Sequence, residues 1–548
     1  MAKRRAERSP AVPAHYASAR WWLASTALAA REVVVLAGAF VVLALVVYAP
    51  ALNGPFLSDD LHYVATNPYV HTLDFANFVA ILDPTSTATV FVVNYAPVHL
   101  LLHALTWQAV GEQTLAYHVV NVVLHALGSA LLAAVFVRAG LSRVIGIGAA
   151  LVFLVHPANV ESVAWISQAK TPAAFALSMA ALLAHPRRPA LGTLLFGLAL
   201  LAKPTAAFAL PVAALLDWTR ERRIAFAWLG AWATLLAGYA VAEFATHQRS
   251  GAAEPIADDA VVRLRSSVAI GARYFWMAAT SLGVSTFHEP SPVRSWTDPV
   301  WLAGAVAIAA IVARSVVVLR RRSAEIAFWV WAGASFFPVS QLFPFLYPMA
   351  DRYLYFILPG LLGGVLFAWR DGVAGSAPAW LSRAAALGAV ALVLVFASHS
   401  FARAGIWASP ARVLADSAAH YPEGRGASVL EARRAALRGD PDTALVALRR
   451  AWELGFNRFE QLQSDPALAS LRGDPRFDAL VGEVAGWWVQ RLSAKQDPTQ
   501  LELRTLAIAH LARHERAEAI AALARAIATG GPLDDQLRTE LAQVRAMH

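Results

Sequence analysis

The chain has 548 residues, 58% of them hydrophobic and 15% charged, with a mean hydropathy of +0.49. A soluble chain carries roughly a quarter charged residues, so a purely soluble enzyme is excluded. The formal charge is +9, and the absence of cysteine excludes disulfides, zinc–thiolate centres and thiol nucleophiles. Basic residues fall in short clusters between apolar runs, the pattern that orients a membrane protein. A nucleic-acid binder would gather them on one face, so nucleic acid is not an expected partner.

Residues 1–32 read as a cytoplasmic segment with Lys3, Arg4, Arg5, Arg8, Arg20 and Arg31. The apolar run 33–50 that follows starts too late for an ordinary cleaved signal peptide and is expected to be a permanent first span. Further basic turns stand at Arg138/Arg143, Arg187/Arg188, Arg220/Arg222/Arg223, Arg320–Arg322 and Arg370/Arg383. Placing all of them inside, with about 20 apolar residues per crossing, gives about eleven spans. They lie near 33–50, 116–137, 144–160, 170–185, 190–202, 204–218, 224–243, 299–319, 325–345, 353–369 and 384–400. An odd number sends the C-terminal part to the periplasmic side of a bacterial inner membrane.

Two places strain this scheme. Lys203-Pro204 interrupts the apolar run Leu191–Phe208, and such a break is tolerated where it is buried in protein or lines a wet cavity. Ser266–Phe287 is long enough to span, yet counting it would move Arg320–Arg322 outside, so it is expected to be interfacial or re-entrant. The outer loop 51–115 carries Asp59, Asp60, His62, Asp74 and Asp83 and an apolar segment at Ala96–Val110 that could lie on the membrane surface.

From 406 to 548 the composition turns to Ala, Leu, Arg and Asp with helical periodicity. Ala444, Leu445, Ala447, Leu448, Arg450, Ala451 and Gly455 recur 75 positions later as Ala519, Ile520, Ala522, Leu523, Arg525, Ala526 and Gly530. Helix pairs at about twice 34 residues suggest tetratricopeptide-like units; a small helical bundle is the alternative. Asp465-Pro466 and Asp474-Pro475 read as helix starts. The expected fold is all-α: a polytopic membrane helical bundle over 33–405 and a periplasmic tetratricopeptide-like helical-repeat domain over 406–548.

Among the polar residues, adjacent Asp59 and Asp60 could accept a proton from a hydroxyl or share a divalent cation, or simply cap and charge a helix start. Lys203, an ionisable group amid apolar sequence, is a functional candidate or a snorkelling lysine. Arg352 could clamp a phosphate, or pair with Asp351 while Tyr353 and Tyr355 anchor the interface. His156 and Glu161, followed by Trp165 and Lys170, form a second outer-edge cluster; His156 alone reads best as a structural histidine beside a proline bend. His118, Asn121 and His125 share one helical face and suit helix–helix hydrogen bonding. Phosphate-binding P-loops, dinucleotide fingerprints and GxSxG elbows are absent from the sequence.

Together, Asn53-Gly54-Pro55-Phe56-Leu57-Ser58-Asp59-Asp60 with Asn67-Pro68, Tyr117-His118 with Asn121 and His125, His156-Pro157 through Glu161 to Ile166, Ala202-Lys203-Pro204 and Ala350–Tyr355 resemble the transmembrane and tetratricopeptide-repeat O-mannosyltransferases and their bacterial relatives. The motifs stand in family order over roughly residues 50–360. The chain departs from the family pattern at Ala96 and Ala169, where relatives carry arginine. The resemblance implies a C-type glycosyltransferase, a hexosyltransferase that takes a sugar (a mannose-like hexose favoured) from a polyprenyl phosphate. It would pass the sugar with inversion to a hydroxyl acceptor, protein Ser/Thr favoured, at the periplasmic face. It further implies catalytic roles for Asp59 and Asp60, donor-phosphate binding by Lys203 and Arg352, and a pocket shaped by His156, Glu161 and Asp351. No cofactor is expected, though a divalent cation at Asp59/Asp60 stays open. The repeats would present an acceptor protein or dock an envelope partner. The rival readings are a non-enzymatic membrane-anchored repeat scaffold for envelope assembly and a transporter.

Overall fold

The computed structural model describes residues 27–547 apart from 93, 251–254, 346 and 375–377. Lys3, Arg4, Arg5, Arg8 and Arg20 lie outside the described residues. All regular structure among those described is helical. A helix stands at each of the eleven apolar positions. By length and composition, five are able to cross a membrane: Ala30–Val47, Thr114–Ala139, Pro299–Arg320, Asp351–Gly372 and Arg383–Ala408. A sixth crossing results if Arg143–Leu154 and Pro157–Ala164, bent by 53°, act as one span. These helices define a multi-pass membrane protein.

Several elements depart from the expected bounds. Glu325–Phe336 stops well before residue 345, because Pro338 follows in a short 3-10 turn, Phe337–Val339. The expected interfacial segment forms the helix Ala260–Thr280, capped by Asp259, and ends where Ser281 turns left-handed at φ 59°. Its Arg263, Arg265 and Arg273 leave it too polar to count among the candidate spans. At the interruption, Pro189–Ala202 ends on extended Lys203 (φ −160°), and the chain resumes as a 3-10 turn, Pro204–Phe208. Pro204 lacks the N–H a continuing helix needs, which opens the backbone there.

The helices Glu325–Phe336 and Asp351–Trp369 pack so closely that a Cβ on Gly360 would strike the Ala332 backbone. Small residues permit this approach where lipid gives no hydrophobic drive between helices. Trp331, fully buried, stacks on Phe208 at 4.6 Å and ties this pair to the broken segment. The middle of Asp351–Trp369 is therefore closely packed.

Basic turns gather at one end of the bundle. Arg138 bonds Glu221 at 3.0 Å, Arg370 bonds the Gly140 carbonyl at 2.9 Å, and Arg143 pairs with Glu32. Nineteen residues of helix, roughly 28 Å at 1.5 Å per residue, separate this end from Asp351.

After Ala404 a short 3-10 turn leads to Pro410–His420 and then to further helices that end with Asp534–Ala546. Of the seven residues that recur in the sequence, four are buried in each copy: Ala444, Ala447, Leu448 and Ala451 in one helix, Ala519, Ala522, Leu523 and Ala526 in the other. Asp465 and Asp474 cap the helices that follow them, bonding the N–H of Ala467 and Arg476 at 2.9 Å each. This domain is fastened to the membrane part. Asp416 accepts from Arg403 at 3.0 Å and from the Thr286 N–H at 2.8 Å, Arg425 pairs with Glu289, and Phe91 of the outer loop packs on the apolar core of the last helices.

Candidate active site

The outer loop folds through short helices whose starts are set by local side chains. Asn67 caps Pro68–His71 through the Tyr69 N–H (3.1 Å), and Asp74 caps Phe75–Leu82 through the Asn77 N–H (2.8 Å). Ala96–Val110 appears as the helix Pro97–Val110.

Asp60 lies at the bottom of this loop and is 1% exposed. One carboxylate oxygen accepts from the Leu57 N–H at 2.8 Å, the other from the Ser167 N–H at 2.7 Å. It thus joins the loop to the 165–169 segment. Trp165 adds a second joint by donating to the Leu57 carbonyl at 3.1 Å. Burial raises the Asp60 carboxyl to about 7 against the lowering pull of those two N–H donors, and the Asp59 charge pushes the same way as burial. Asp59 is less buried and makes only a 3.4 Å contact with the Ser58 hydroxyl.

Folding stability should follow the Asp60 proton. Unfolded, the carboxyl ionises near 3.9; folded, it stays neutral up to about 7. Its contribution is therefore fully present below pH 4 and falls away as pH rises to 7, levelling off above, by roughly 4 kcal/mol in all. Thermal unfolding of wild type and Asp60→Asn from pH 4 to 8 checks this. The difference should move against wild type with rising pH, and a pH-independent difference contradicts it.

Arg352 and Glu161, 191 residues apart, form a buried pair. The guanidinium bonds one carboxylate oxygen, and the Arg352 N–H donates to the other at 2.6 Å. Three rings, of Trp165 (5.6 Å), Tyr347 (4.8 Å) and Tyr353 (5.1 Å), surround the guanidinium, a favourable setting for a cation. The alternative pairing of Arg352 with Asp351 does not occur. Asp351 instead accepts from His288 at 2.7 Å and the Ser285 N–H at 3.2 Å, with Arg403 at 3.9 Å. It anchors the helix start to the 281–298 segment and, through Arg403, to Asp416 of the tail. Glu161→Gln leaves the guanidinium buried without its counter-charge and should cost about 3–5 kcal/mol. Chemical denaturation in detergent measures it; a loss below about 1 kcal/mol would mean that Arg352 is solvated.

Lys203, at the helix break, donates to the Thr171 hydroxyl at 2.7 Å. Neighbouring Lys170 donates to the Tyr63 hydroxyl at 3.1 Å, its ammonium 4.5 Å from the Tyr63 ring centre. Among the described residues, neither lysine has a carboxylate within 4.0 Å. Lys170, Arg352 and Glu161 lie close enough for their charges to act on Lys203, and Asp59 and Arg352 both act on Tyr347. Asp59, Glu161, Lys203 and Arg352 thus gather about one region, with Asp60 bonded to the segment beside it.

His156 has both ring nitrogens engaged by backbone, the Ala158 N–H and the Ala278 carbonyl, each at 3.2 Å. It caps the 3-10 turn Pro157–Asn159 and orients Glu161 only through that turn. His118 contacts the Gly54 carbonyl (3.2 Å), Asn121 donates to the Trp165 carbonyl (3.0 Å) and His125 meets the Tyr355 hydroxyl (2.7 Å). Sequence reasoning passed over Tyr63, Tyr347 and the weight of Lys170. The signal for Lys170 was its place five residues beyond Trp165, an ionisable residue at the start of an apolar helix.

No protein-family model matches the chain, and no curated protein is similar to it. A solved structure of ArnT from Cupriavidus metallidurans bound to undecaprenyl phosphate is similar at 16% identity over 84% of this chain and 81% of that one, with a TM-score of 0.32.

Proposed function

We propose that the chain is a C-type membrane glycosyltransferase that moves a sugar, a mannose-like hexose in the favoured form, from a polyprenyl phosphate to an acceptor hydroxyl, with inversion. The observation that carries this reading is the pair of lysines, Lys170 and Lys203, neither of which has a carboxylate within 4.0 Å among the described residues, and which meet the 167–171 segment that Asp60 bonds through the Ser167 N–H. A lysine at a helix break with a second lysine near it suits a phosphate.

In this reading the donor phosphate rests on Lys203 and Lys170. Arg352, already neutralised by Glu161, positions the aromatic wall and lends hydrogen-bonding capacity. Asp59, the freer carboxylate, takes the proton from the acceptor hydroxyl as its oxygen attacks the anomeric carbon. The carbon–oxygen bond to phosphate breaks on the opposite face, and the electron pair leaves with the polyprenyl phosphate. Its growing negative charge is met by fixed cations, which act most strongly in the transition state. Asp60 holds the loop in register. Both its oxygens already face N–H donors, a setting that competes with a divalent cation, and the transfer needs no metal in this reading. Protein Ser/Thr is the favoured acceptor. The repeat domain suits its presentation, since the charges of Arg458 and Glu460 reach His62 of the outer loop. The site end would face the periplasm and the arginine-rich end the cytoplasm.

The test is incubation of the purified chain with a panel of polyprenyl-phosphate sugars, measuring free polyprenyl phosphate. Release with one sugar, accelerated by acceptor, is expected. No release with any donor, while loss of residues 406–548 alone abolishes the cellular phenotype, would establish the scaffold instead.

A further inference from the structure

At the end of the bundle opposite the candidate active site, arginines from three separated turns meet around one cavity of about 390 Å³. They are Arg220 and Arg222, then Arg314, Arg321 and Arg322, then Arg370. Orientation of a membrane protein requires basic residues on that side, but not their convergence on a single space. Two of the six are already compensated. Arg314 forms a forked pair with buried Glu325 at 2.8 and 2.7 Å, and Arg370 bonds Asp371 at 2.7 Å. Nearby Glu221 is taken by Arg138. Arg220, Arg222, Arg321 and Arg322 have no carboxylate partner among the described residues.

The backbone gives a second indication. Arg222 and Arg322 both sit in the left-handed region, at φ 56° and 50°, where each ends a helix. Glycine or asparagine would take that conformation at lower cost. The chain instead places a guanidinium at each position and points two strained residues at the same cavity. Crowding adds a third: a Cβ on Gly140 would lie 3.0 Å from the Arg220 guanidinium and 3.2 Å from that of Arg370, so these two like charges approach one another closely. The wall also carries Thr219, whose hydroxyl donates to the Leu215 carbonyl at 2.6 Å, and Ser323, whose hydroxyl donates to Asp371 at 2.9 Å, so the arginines are its free donors.

We infer that this cavity is a binding site for an anion bearing two phosphate groups, held by Arg222, Arg321 and Arg322 with Arg220 behind them. Planar guanidiniums bond phosphate oxygens in pairs, and basic pockets between membrane helices accept lipid head groups. The same chemistry is offered by a diphosphate-bearing lipid of the adjoining leaflet and by soluble pyrophosphate. The inference is independent of the transfer reaction proposed above, since no residue is shared.

The experiment is native mass spectrometry and titration of the full chain in detergent, with cardiolipin and inorganic pyrophosphate as separate probes and phosphatidylcholine as the neutral control. Wild type should bind one of the two phosphate probes at least tenfold more tightly than the neutral lipid. The probe that binds identifies the source: retention of cardiolipin against excess pyrophosphate marks a lipid site, and displacement marks a soluble one. Arg222→Gln and Arg322→Gln, made singly so that neighbouring arginines still orient the chain, should each weaken that binding threefold to tenfold. Arg322→Lys, which keeps the charge, should weaken it less than Arg322→Gln. Equal binding by wild type and both glutamine variants, or no preference over the neutral lipid, overturns the inference.

Discussion

Lys203→Gln should lower the rate of polyprenyl-phosphate release by about 100- to 1,000-fold, the usual effect of removing one fixed donor from a developing anion. Lys170→Gln should act in the same direction. The two losses should combine to less than their product, because both groups meet the same phosphate. Among the described residues the Lys203 ammonium bonds the Thr171 hydroxyl and lies over the face of Phe356, 5.8 Å from its centre. Glutamine can keep the first contact, so the melting temperature should hardly change. A rate within threefold of wild type would remove the lysines from the reaction. Single-turnover release from a labelled donor, with melting measured on the same preparations, separates chemistry from folding.

Asp59→Asn should be as damaging by a different route. A positioned base contributes about 100- to 10,000-fold, and asparagine cannot take the acceptor proton. The loss should appear in kcat, with the KM for donor little altered, because the donor phosphate rests on the lysines. Asp60→Asn should differ in kind. Its two oxygens each accept from a backbone N–H, and an amide group turned toward one of them would leave that donor unsatisfied, at about 1–3 kcal/mol. Asp60→Asn should therefore lower stability near pH 4, an effect that shrinks as pH rises toward 7, and should lower the rate, whereas Asp59→Asn lowers rate alone. The opposite pattern, a destabilised Asp59→Asn and an inactive but stable Asp60→Asn, would exchange the two roles.

The helices were legible because their causes are local. Apolar run length set the positions of Ala30–Val47 and Thr114–Ala139, Asp-Pro pairs marked the caps at Asp465 and Asp474, and Pro204 broke its helix by lacking an N–H. The recurring Ala and Leu positions in the tail coincided with the buried faces of Pro441–Glu453 and Arg516–Thr529 because packing demands small residues there. Side-chain pairing was not legible. Arg352 stands beside Asp351 in the chain, yet a helical backbone points successive residues in different directions, so each found a distant partner: Glu161 for one, His288 for the other. The arginine cavity was hidden for a different reason. Each of its three turns is explained singly by membrane orientation, and only the fold brings them together.

A structure of the chain with bound polyprenyl phosphate tests the central claim most directly. The phosphate should lie within hydrogen-bonding reach of the Lys170 and Lys203 ammonium groups, with its lipid tail leaving beside the helix break and Asp59 on the far side of the space for the sugar. A phosphate bound away from both lysines, or seated only among Arg222, Arg321 and Arg322 at the other end of the bundle, would contradict it.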